Sequence, residues 1–263
     1  MPASINSYLS SLASAYYISH ASPENDQILT SVGNIKTKLL NTFGSKLLSV
    51  TTFGSYERDT ILPRKYDRKT DVDILVKFNH AALDKSVSTY REWLLDFANV
   101  NYARSSTYKN FPTIVVELAH IAFDLVPAKE EGYNNQLSIP HAVYGWQPTN
   151  PTEFNQLVSS ANGRYTYIVK PIIRLLKAWN ALADYPFTTY DLERQIATMS
   201  FQGDDIQNGF FYAIDRLNDN ELTLASKSKL STLRNNKYWV VQYLNRDDMP
   251  KAKESLHRIL PFA

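Results

Sequence analysis

The segment DVDILVKF, residues 71–78, limits the fold strongly because its two faces have opposite chemistry. Side chains alternate along a β-strand, so Asp71, Asp73 and Leu75 share one face. Val72, Ile74, Val76 and Phe78 share the other face, which has the composition of a buried core. The segment therefore predicts a strand in a sheet, with the two aspartates directed away from that core.

A second segment, HIAFDLVPA at 120–128, follows the same alternation and places Asp124 opposite an apolar face. If both strands lie in one sheet, three carboxylates converge on the same side. Converging carboxylates repel each other unless a cation compensates them. Mg²⁺ takes oxygen ligands, and paired metal ions can hold the attacking and leaving oxygens of a phosphoryl transfer. Asp71, Asp73 and Asp124 are therefore candidate ligands for Mg²⁺ or Mn²⁺ and candidate catalytic residues.

Each of these motifs also has a purely structural interpretation. Asp-x-Asp occurs by chance in many proteins, and Gly54-Ser55 is a common turn sequence. A single aspartate at the end of a strand is often a turn residue. The order of the motifs favours the functional interpretation, because an apolar strand (46–53) leads into Gly54-Ser55 and the acidic strands follow.

The pattern along the chain predicts an α+β protein with two lobes. In the first lobe, residues 1–148, we expect a mixed sheet, further strands at 46–53 and 113–119, and helices at about 5–19, 22–41 and 83–98. In the second lobe, residues 149–263, we expect helices alone, at about 152–160, 165–183, 189–201, 205–217, 226–244 and 249–259.

Composition excludes several classes of function. The 263 residues are 44% hydrophobic and 21% charged, as in ordinary globular proteins, and the net charge of +2 does not indicate a nucleic-acid coat or a membrane surface. The absence of cysteine excludes disulfides and thiolate zinc sites. The chain has no signal-peptide pattern and no apolar run of about 20 residues. We expect a soluble cytoplasmic protein without membrane contact.

Five segments, FGSYERDT, TDVDILVKF, FDLVPA, RLLKAWN and TTYDLE, together resemble the bacterial cyclic-oligonucleotide synthases. These enzymes, also called the CD-NTase or SMODS family, are relatives of cyclic GMP-AMP synthase and the oligoadenylate synthetases in the polymerase-β-like superfamily. The resemblance covers roughly residues 20–245. It implies a polymerase-β-like nucleotidyltransferase lobe, a helical lobe that closes the nucleotide cleft, and a role in antiphage signalling.

The resemblance also implies roles for individual residues. Asp71 and Asp73 would bind both metal ions, and Asp124 would complete the second metal site and help to activate the attacking 3′-hydroxyl. Gly54 and Ser55 would hold the triphosphate, with backbone N–H groups donating to its oxygens. The substrates would be nucleoside triphosphates, namely ATP, GTP or both, with a pyrimidine nucleotide left open.

Three nucleotide-binding residues are expected in the second lobe. Lys170, Arg174 and Lys177 fall on one helical face, and the pattern alone favours a solvated basic stripe. The resemblance implies instead that Lys177 reaches the triphosphate. It also implies that Thr189 contacts phosphate or ribose and that Tyr190 stacks on the donor base. Thr188 and Asp191 are spaced as a capping box, which is a sufficient structural explanation for this segment.

The sequence departs from the family in the loop between the two motifs. Many relatives have a glycine four residues after the serine, where this chain has Asp59. The loop also carries five basic residues, Arg58, Arg64, Lys65, Arg68 and Lys69. They predict a solvated loop, a mobile flap over the nucleotide, or contact with a partner. Without cysteine there is no zinc insertion, so DNA activation of that kind is not expected. A protein regulator is left open.

Three functions are compatible with the sequence. The first is synthesis of a cyclic di- or trinucleotide from nucleoside triphosphates, with release of pyrophosphate. The second is nucleotide transfer to an RNA, protein or small-molecule acceptor. The modest net charge argues against a long RNA as that acceptor. The third is a nucleotide-binding sensor without turnover, against which the intact aspartate trio argues.

Overall fold

The computed structural model describes residues 4–132 and 136–262, in which the chain forms seven strands, eleven α-helices and a short 3-10 helix at Gly44–Lys46. The strands are β1 (Leu47–Phe53), β2 (Asp71–Phe78), β3 (Ser106–Asn110), β4 (Thr113–Glu117), β5 (Ala122–Glu131), β6 (Gln136–His141) and β7 (Gly145–Pro148). The helices are α1 (Asn6–Ala15), α2 (Pro23–Phe43), α3 (Gly54–Glu57), α4 (His80–Leu83), α5 (Val87–Asn101), α6 (Pro151–Arg164), α7 (Val169–Leu182), α8 (Thr189–Ala197), α9 (Ile206–Arg216), α10 (Leu224–Asn245) and α11 (Met249–Leu256). None of the described helices is long and apolar enough to cross a bilayer.

The strands form one mixed sheet in the order β1-β2-β5-β4-β3, and β6 pairs with β5 and with β7. The central pair, β2 and β5, is parallel, whereas β1 and β4 pair with them in the antiparallel sense. In this register Asp73 lies directly beside Asp124. The expected α+β class with a mixed sheet is confirmed.

The apolar face of β2 is buried against helices, as its alternation predicts. Val72, Ile74, Val76 and Phe78 have no exposed surface. The Phe78 ring stacks on Tyr90 of α5 at 4.4 Å between centroids and meets Phe43 of α2 at 5.5 Å. Burying each such side chain stabilises the fold by about 1.5–3 kcal/mol. A slip of one residue would turn this face outward and the aspartates inward, so packing fixes the register that aligns the carboxylates.

Contacts divide the chain into two compact units that are not continuous in sequence. The sheet unit consists of Ser19–Arg58 and Lys69–Glu153. The helical unit consists of the chain up to Ile18, Asp59–Arg68 and the chain from Phe154 onward. The expected lobes, 1–148 and 149–263, differ from this division mainly in these two early segments. They group with the helical unit because α1 packs against α7 and α9, and because Leu62 enters the same core.

Helix α7 is the centre of the helical unit. Ten of its 14 residues are buried, including both Arg174 and Lys177. The helix begins at Val169, with Pro171 in the first turn, where a missing N–H costs no helical hydrogen bond. A helix buried on nearly every side must satisfy its polar side chains internally, and the partners of these two cations are described below.

Candidate active site

The carboxylate site of the sheet unit is built on the parallel pair β2 and β5. Asp73 is the register partner of Asp124, and neighbouring strands lie about 4.8 Å apart. Asp71 lies two residues before Asp73, beside Ala122, so its side chain projects from the same face. Three carboxylates therefore share one face of two adjacent strands, as the sequence predicts.

The Gly54-Ser55 turn packs directly against one of these carboxylates. Strand β1 ends at Phe53, the register partner of Asp73, and α3 begins at the next residue. Gly54 has a φ of +76°, and a Cβ at this position would lie 1.9 Å from Asp73 Oδ2. Only glycine fits both the backbone conformation and the available space. Ser55, half-buried, follows in the first turn of the short helix.

Asp124 has a perturbed pKa for a clear physical reason. Its side chain is 9% exposed, and Thr113 Oγ1 donates a hydrogen bond to Oδ2 at 3.0 Å. Burial raises the pKa of Asp124 from 3.8 to about 6; the Thr113 hydrogen bond opposes the rise and the Glu117 carboxylate adds to it. A carboxylate with a pKa near neutrality suits proton transfer at physiological pH.

The aspartates fit a divalent cation in donor chemistry, because carboxylate oxygens are the ligands that Mg²⁺ prefers. The parallel register also makes Asp73 and Asp124 neighbours on adjacent strands. Within residues 4–132 and 136–262, however, no three His, Asp or Glu side chains form a complete metal-coordinating group. The residues that would hold such an ion are Asp71, Asp73 and Asp124, and its binding remains a proposal.

The predicted solvated stripe on α7 is wrong for two of its three cations. Lys177 is 5% exposed, and its Nζ lies 3.0 Å from Oε1 of Glu193 on α8. Glu193 is buried, and Thr60 Oγ1 also donates a hydrogen bond to its Oε1, at 2.9 Å. Arg174 is 7% exposed. These side chains are buried because α8 and the Asp59–Arg68 segment cover that face of α7.

The Asp59–Arg68 segment of the basic loop is packed into the helical unit, so a fully solvated loop is wrong for its first residues, and the flap over the nucleotide and the partner contact stay predictions. Thr60, Ile61 and Leu62 are buried, although Lys65 and Arg68 remain exposed. Asp59 carries the left-handed φ of +58° that favours glycine, which explains the glycine of the relatives at this position. Its carboxylate accepts a hydrogen bond from Lys170 Nζ at 2.8 Å, so its negative charge is balanced.

Arg174 anchors the start of the same segment. Its Nη1 donates to the carbonyl oxygen of Asp59 at 2.9 Å, and its Nε donates to the carbonyl oxygen of Ala13 at 3.1 Å. The guanidinium also lies over the Tyr17 ring, 4.7 Å from its centroid. Burial lowers the pKa of Arg174 to about 10, which leaves the side chain charged at neutral pH. Its role within the helical unit is structural.

Thr189 and Tyr190 occupy the exposed first turn of α8. Thr188 caps this helix as predicted, because its Oγ1 accepts a hydrogen bond from the Asp191 backbone N–H at 3.1 Å. The Tyr190 ring is 53% exposed and lies 4.6 Å from the Phe154 ring. An exposed aromatic ring at a helix start is available for base stacking, and the roles of Thr189, Tyr190 and Lys177 remain predictions.

Sequence reasoning missed Glu193, which pairs with the Lys177 ammonium, and Thr60, which donates a hydrogen bond to Glu193. The sequence did contain one signal for Glu193, since Ile196 and Ala197, three and four residues later, put it on the apolar face of α8. Thr60 carried no such signal. Its contact with Glu193 joins residues 133 positions apart.

Comparison with known proteins identifies the family. The model of the Second Messenger Oligonucleotide or Dinucleotide Synthetase domain, SMODS, matches residues 3–162, more than half of the chain. This chain belongs to the SMODS family. The SMODS chain is 28% identical over 150 residues to a cyclic AMP-AMP-AMP synthase of an Acinetobacter strain. That match covers 54% of the SMODS chain and 42% of the synthase, so it spans less than half the length of this relative.

Solved structures share the fold of the SMODS chain at low sequence identity. The E. coli MS115-1 CdnC structure with ATP has a TM-score of 0.70 at 11% identity and covers 100% of this chain and 98% of its own. The Bradyrhizobium diazoefficiens CD-NTase CdnG in complex with GTP has a TM-score of 0.68 at 13% identity, with coverage of 97% and 98%. The Vibrio cholerae DncV cyclic AMP-GMP synthase with a linear intermediate has a TM-score of 0.63 at 10% identity, with coverage of 81% and 68%. The SMODS chain thus has the polymerase-β-like fold of the CD-NTases.

Proposed function

We propose that this protein is a metal-dependent nucleotidyltransferase that joins nucleoside triphosphates into a cyclic di- or trinucleotide and releases pyrophosphate. One observation carries the proposal. Asp73 and Asp124 are register partners on parallel strands, Asp71 shares their face, and Gly54 packs against Asp73. Membership of a family of second-messenger synthetases supports it, as does the likeness to a cyclic AMP-AMP-AMP synthase.

The proposed reaction is attack of a 3′- or 2′-hydroxyl on an α-phosphate, which forms an oxygen–phosphorus bond and breaks the bond to pyrophosphate. Bound Mg²⁺ or Mn²⁺ would supply charge stabilisation for the phosphates. Asp124 would help to accept the hydroxyl proton, and a pKa of about 6 suits a general base. Thr113 would orient Asp124 through its hydrogen bond.

The remaining roles follow from the family resemblance. Gly54 and Ser55 are proposed to contact the triphosphate, Lys177 to neutralise its charge, and Thr189 and Tyr190 to contact phosphate or ribose and the donor base. ATP and GTP are the proposed substrates, and complexes of CdnC with ATP and of CdnG with GTP support that choice. Antiphage signalling is the proposed biological role.

A product assay tests this function. The purified protein is incubated with Mg²⁺ or Mn²⁺ and all four labelled nucleoside triphosphates, treated with phosphatase and analysed by mass spectrometry. We expect a phosphatase-resistant cyclic product whose mass gives the bases and the ring size. The Asp71→Asn, Asp73→Asn double variant is the control, and we expect it to make none.

Other outcomes separate the remaining functions. Label transferred to added RNA, protein or a small molecule, without cyclic product, would indicate a different acceptor. Nucleotide binding without any turnover would indicate a sensor or a missing activator. A product that the double variant also makes would exclude the aspartates as the catalytic site.

A further inference from the structure

Lys177 and Glu193 form an ion pair that is unusually deep for two charged side chains. Their side chains are 5% and 1% exposed, and Lys177 Nζ lies 3.0 Å from Glu193 Oε1. Moving two charges out of water costs free energy that the mutual attraction only partly offsets. A buried pair of this kind therefore adds little to stability compared with apolar side chains of similar size. Its presence calls for a different explanation.

The ammonium of Lys177 is only partly used within the protein. An ammonium has three N–H donors, and one is directed at Glu193. Within residues 4–132 and 136–262, no other acceptor lies within hydrogen-bonding distance of Lys177 Nζ. A buried cation with two remaining donors is suited to a polyanionic ligand.

Apolar side chains also attach α8 to the core of the helical unit. Leu192 and Ile196, on either side of Glu193, are fully buried in the same core. Burial of these two side chains stabilises the attachment of α8 in addition to the ion pair. Glu193 also accepts a second hydrogen bond, from Thr60 at 2.9 Å, so the position of its carboxylate is defined from two directions.

We infer that Glu193 is a positioning residue, which supplies the counter-charge of the buried Lys177 ammonium and directs it for binding the triphosphate of a nucleotide. This inference rests on the proposed function, which assigns Lys177 to the triphosphate. Glu193 itself does not touch the nucleotide and acts only through the lysine. Without the carboxylate, the buried ammonium would lose its counter-charge and would release its proton more readily.

Other charged groups near α7 do not replace Glu193. Lys170 bonds to Asp59, Arg174 bonds to backbone carbonyls, and Asp67 accepts a hydrogen bond from Tyr185. Helix α1 has no charged residue. The other charged residues of α8 and α9 have different surroundings. Asp191 contacts Thr188, Asp215 pairs with Lys237, Arg216 lies over the Tyr212 ring, and Arg194 is exposed.

Two variants separate charge from shape. Glu193→Gln keeps the shape and removes the charge, whereas Glu193→Asp keeps the charge and shortens the side chain. Binding of ATP and of GTP, each with Mg²⁺, is measured by titration calorimetry from about pH 6 to about pH 9, and folding is checked at each pH by thermal melting. For Glu193→Gln, we expect affinity within about threefold of wild type at the acid end and a loss of about tenfold or more at the alkaline end.

For Glu193→Asp, we expect a loss that is the same at every pH. An affinity loss for Glu193→Gln that does not change with pH would overturn the inference, because a merely structural role predicts that result. If Glu193→Gln does not fold, the positioning role is tested by the nucleotide affinity and melting temperature of Glu193→Asp alone. Weaker nucleotide binding in a protein that melts near the wild-type temperature would support the positioning role, and unchanged binding would overturn it.

This test and the product assay can fail separately. If the wild type binds ATP or GTP but makes no product, the proposed synthesis fails and the pH comparison still decides the role of Glu193. If the wild type makes product and Glu193→Gln shows no change with pH, only the positioning role fails. If the wild type binds neither nucleotide at any pH, both fail.

Discussion

Asp124 in the sheet unit and Lys177 in the helical unit are both almost fully buried, at 9% and 5% exposure, but their surroundings differ. Asp124 accepts a hydrogen bond from the neutral Thr113 hydroxyl, and a second carboxylate, Glu117, raises its pKa further. Lys177 faces the opposite charge of Glu193. The sheet unit therefore buries a carboxylate near a second carboxylate. The helical unit buries an ion pair whose two charges balance each other.

The difference shows which charges the fold itself needs. A buried carboxylate with a raised pKa destabilises the folded state at neutral pH, so folding alone does not explain it. Such groups are found where a ligand or a proton transfer requires them. A balanced pair is close to neutral for stability while both partners are present, and strongly destabilising once one is removed. Removing a carboxylate of the sheet unit should therefore lower activity without lowering stability. Removing one partner of the helical-unit pair should lower stability.

The largest effect is expected for Asp73→Asn. Asparagine keeps the shape that packs against Gly54 but removes the charge, and we expect product formation to fall on the order of 10³-fold or more, equivalent to about 4 kcal/mol. Stability should change little. Product formation and thermal melting are measured together. The matched control is Asp96→Asn, at an exposed position on α5, which should retain wild-type activity. A fully active Asp73→Asn variant would remove the carboxylate site from the mechanism.

The next effect is on stability, at the balanced pair. Glu193→Ala leaves Lys177 buried without its counter-charge, and we expect a loss of about 3–5 kcal/mol in the free energy of unfolding. Urea denaturation measures it. The double variant Lys177→Met, Glu193→Leu removes both charges and should recover most of that loss. A loss below about 1 kcal/mol in the single variant would show that the pair is more solvated than its burial indicates.

Asp124→Asn should raise the stability of the protein, whereas Glu193→Ala lowers it. The pKa of Asp124 rises from 3.8 in the unfolded chain to about 6 in the folded protein, a difference of about two units. Ionisation therefore weakens the fold as the pH rises from about 4 to about 6, by up to about 3 kcal/mol above that range. In buffer with EDTA, the variant should be more stable than wild type at pH ~8, by less at pH ~5, and equally stable at pH ~3.5. A variant that is less stable at pH ~8 would contradict the burial argument.

The sequence predicted the shared face of the three aspartates well because that placement depends on local alternation. Strand β2 begins and ends as predicted, and the parity of β2 and β5 placed all three aspartates on one face. The edge strand β3 was missed because its residues, STYKN, are polar and mostly exposed. Strands β6 and β7 were missed as well. They are short, and β6 contains Pro140, which is unfavourable within a strand.

The charged core of the helical unit could not be predicted in the same way. The spacing correctly predicts one shared helical face for Lys170, Arg174 and Lys177. It does not reveal which groups cover that face. The covering groups are Glu193 and the Asp59–Arg68 segment, and the bond from Lys170 to Asp59 spans 111 positions. Contacts at that separation depend on the tertiary structure, which one sequence pattern does not contain. The family resemblance pointed to Lys177 as a candidate and gave no indication of its partner Glu193.

The smallest effect is expected at Asp59, where the opposite charges are only partly buried. The side chains of Lys170 and Asp59 are 17% and 27% exposed, so their attraction is weaker than that of the Lys177 pair. Asp59→Gly loses this attraction but relaxes the left-handed backbone, and Asp59→Ala loses it without that relief. In urea denaturation, we expect the glycine variant to be more stable than the alanine variant by about 1 kcal/mol and within about 1 kcal/mol of wild type. Equal stability of the two variants would show that the backbone at Asp59 is not strained. In that case the ion pair with Lys170, rather than the backbone conformation, would account for an aspartate where relatives have glycine.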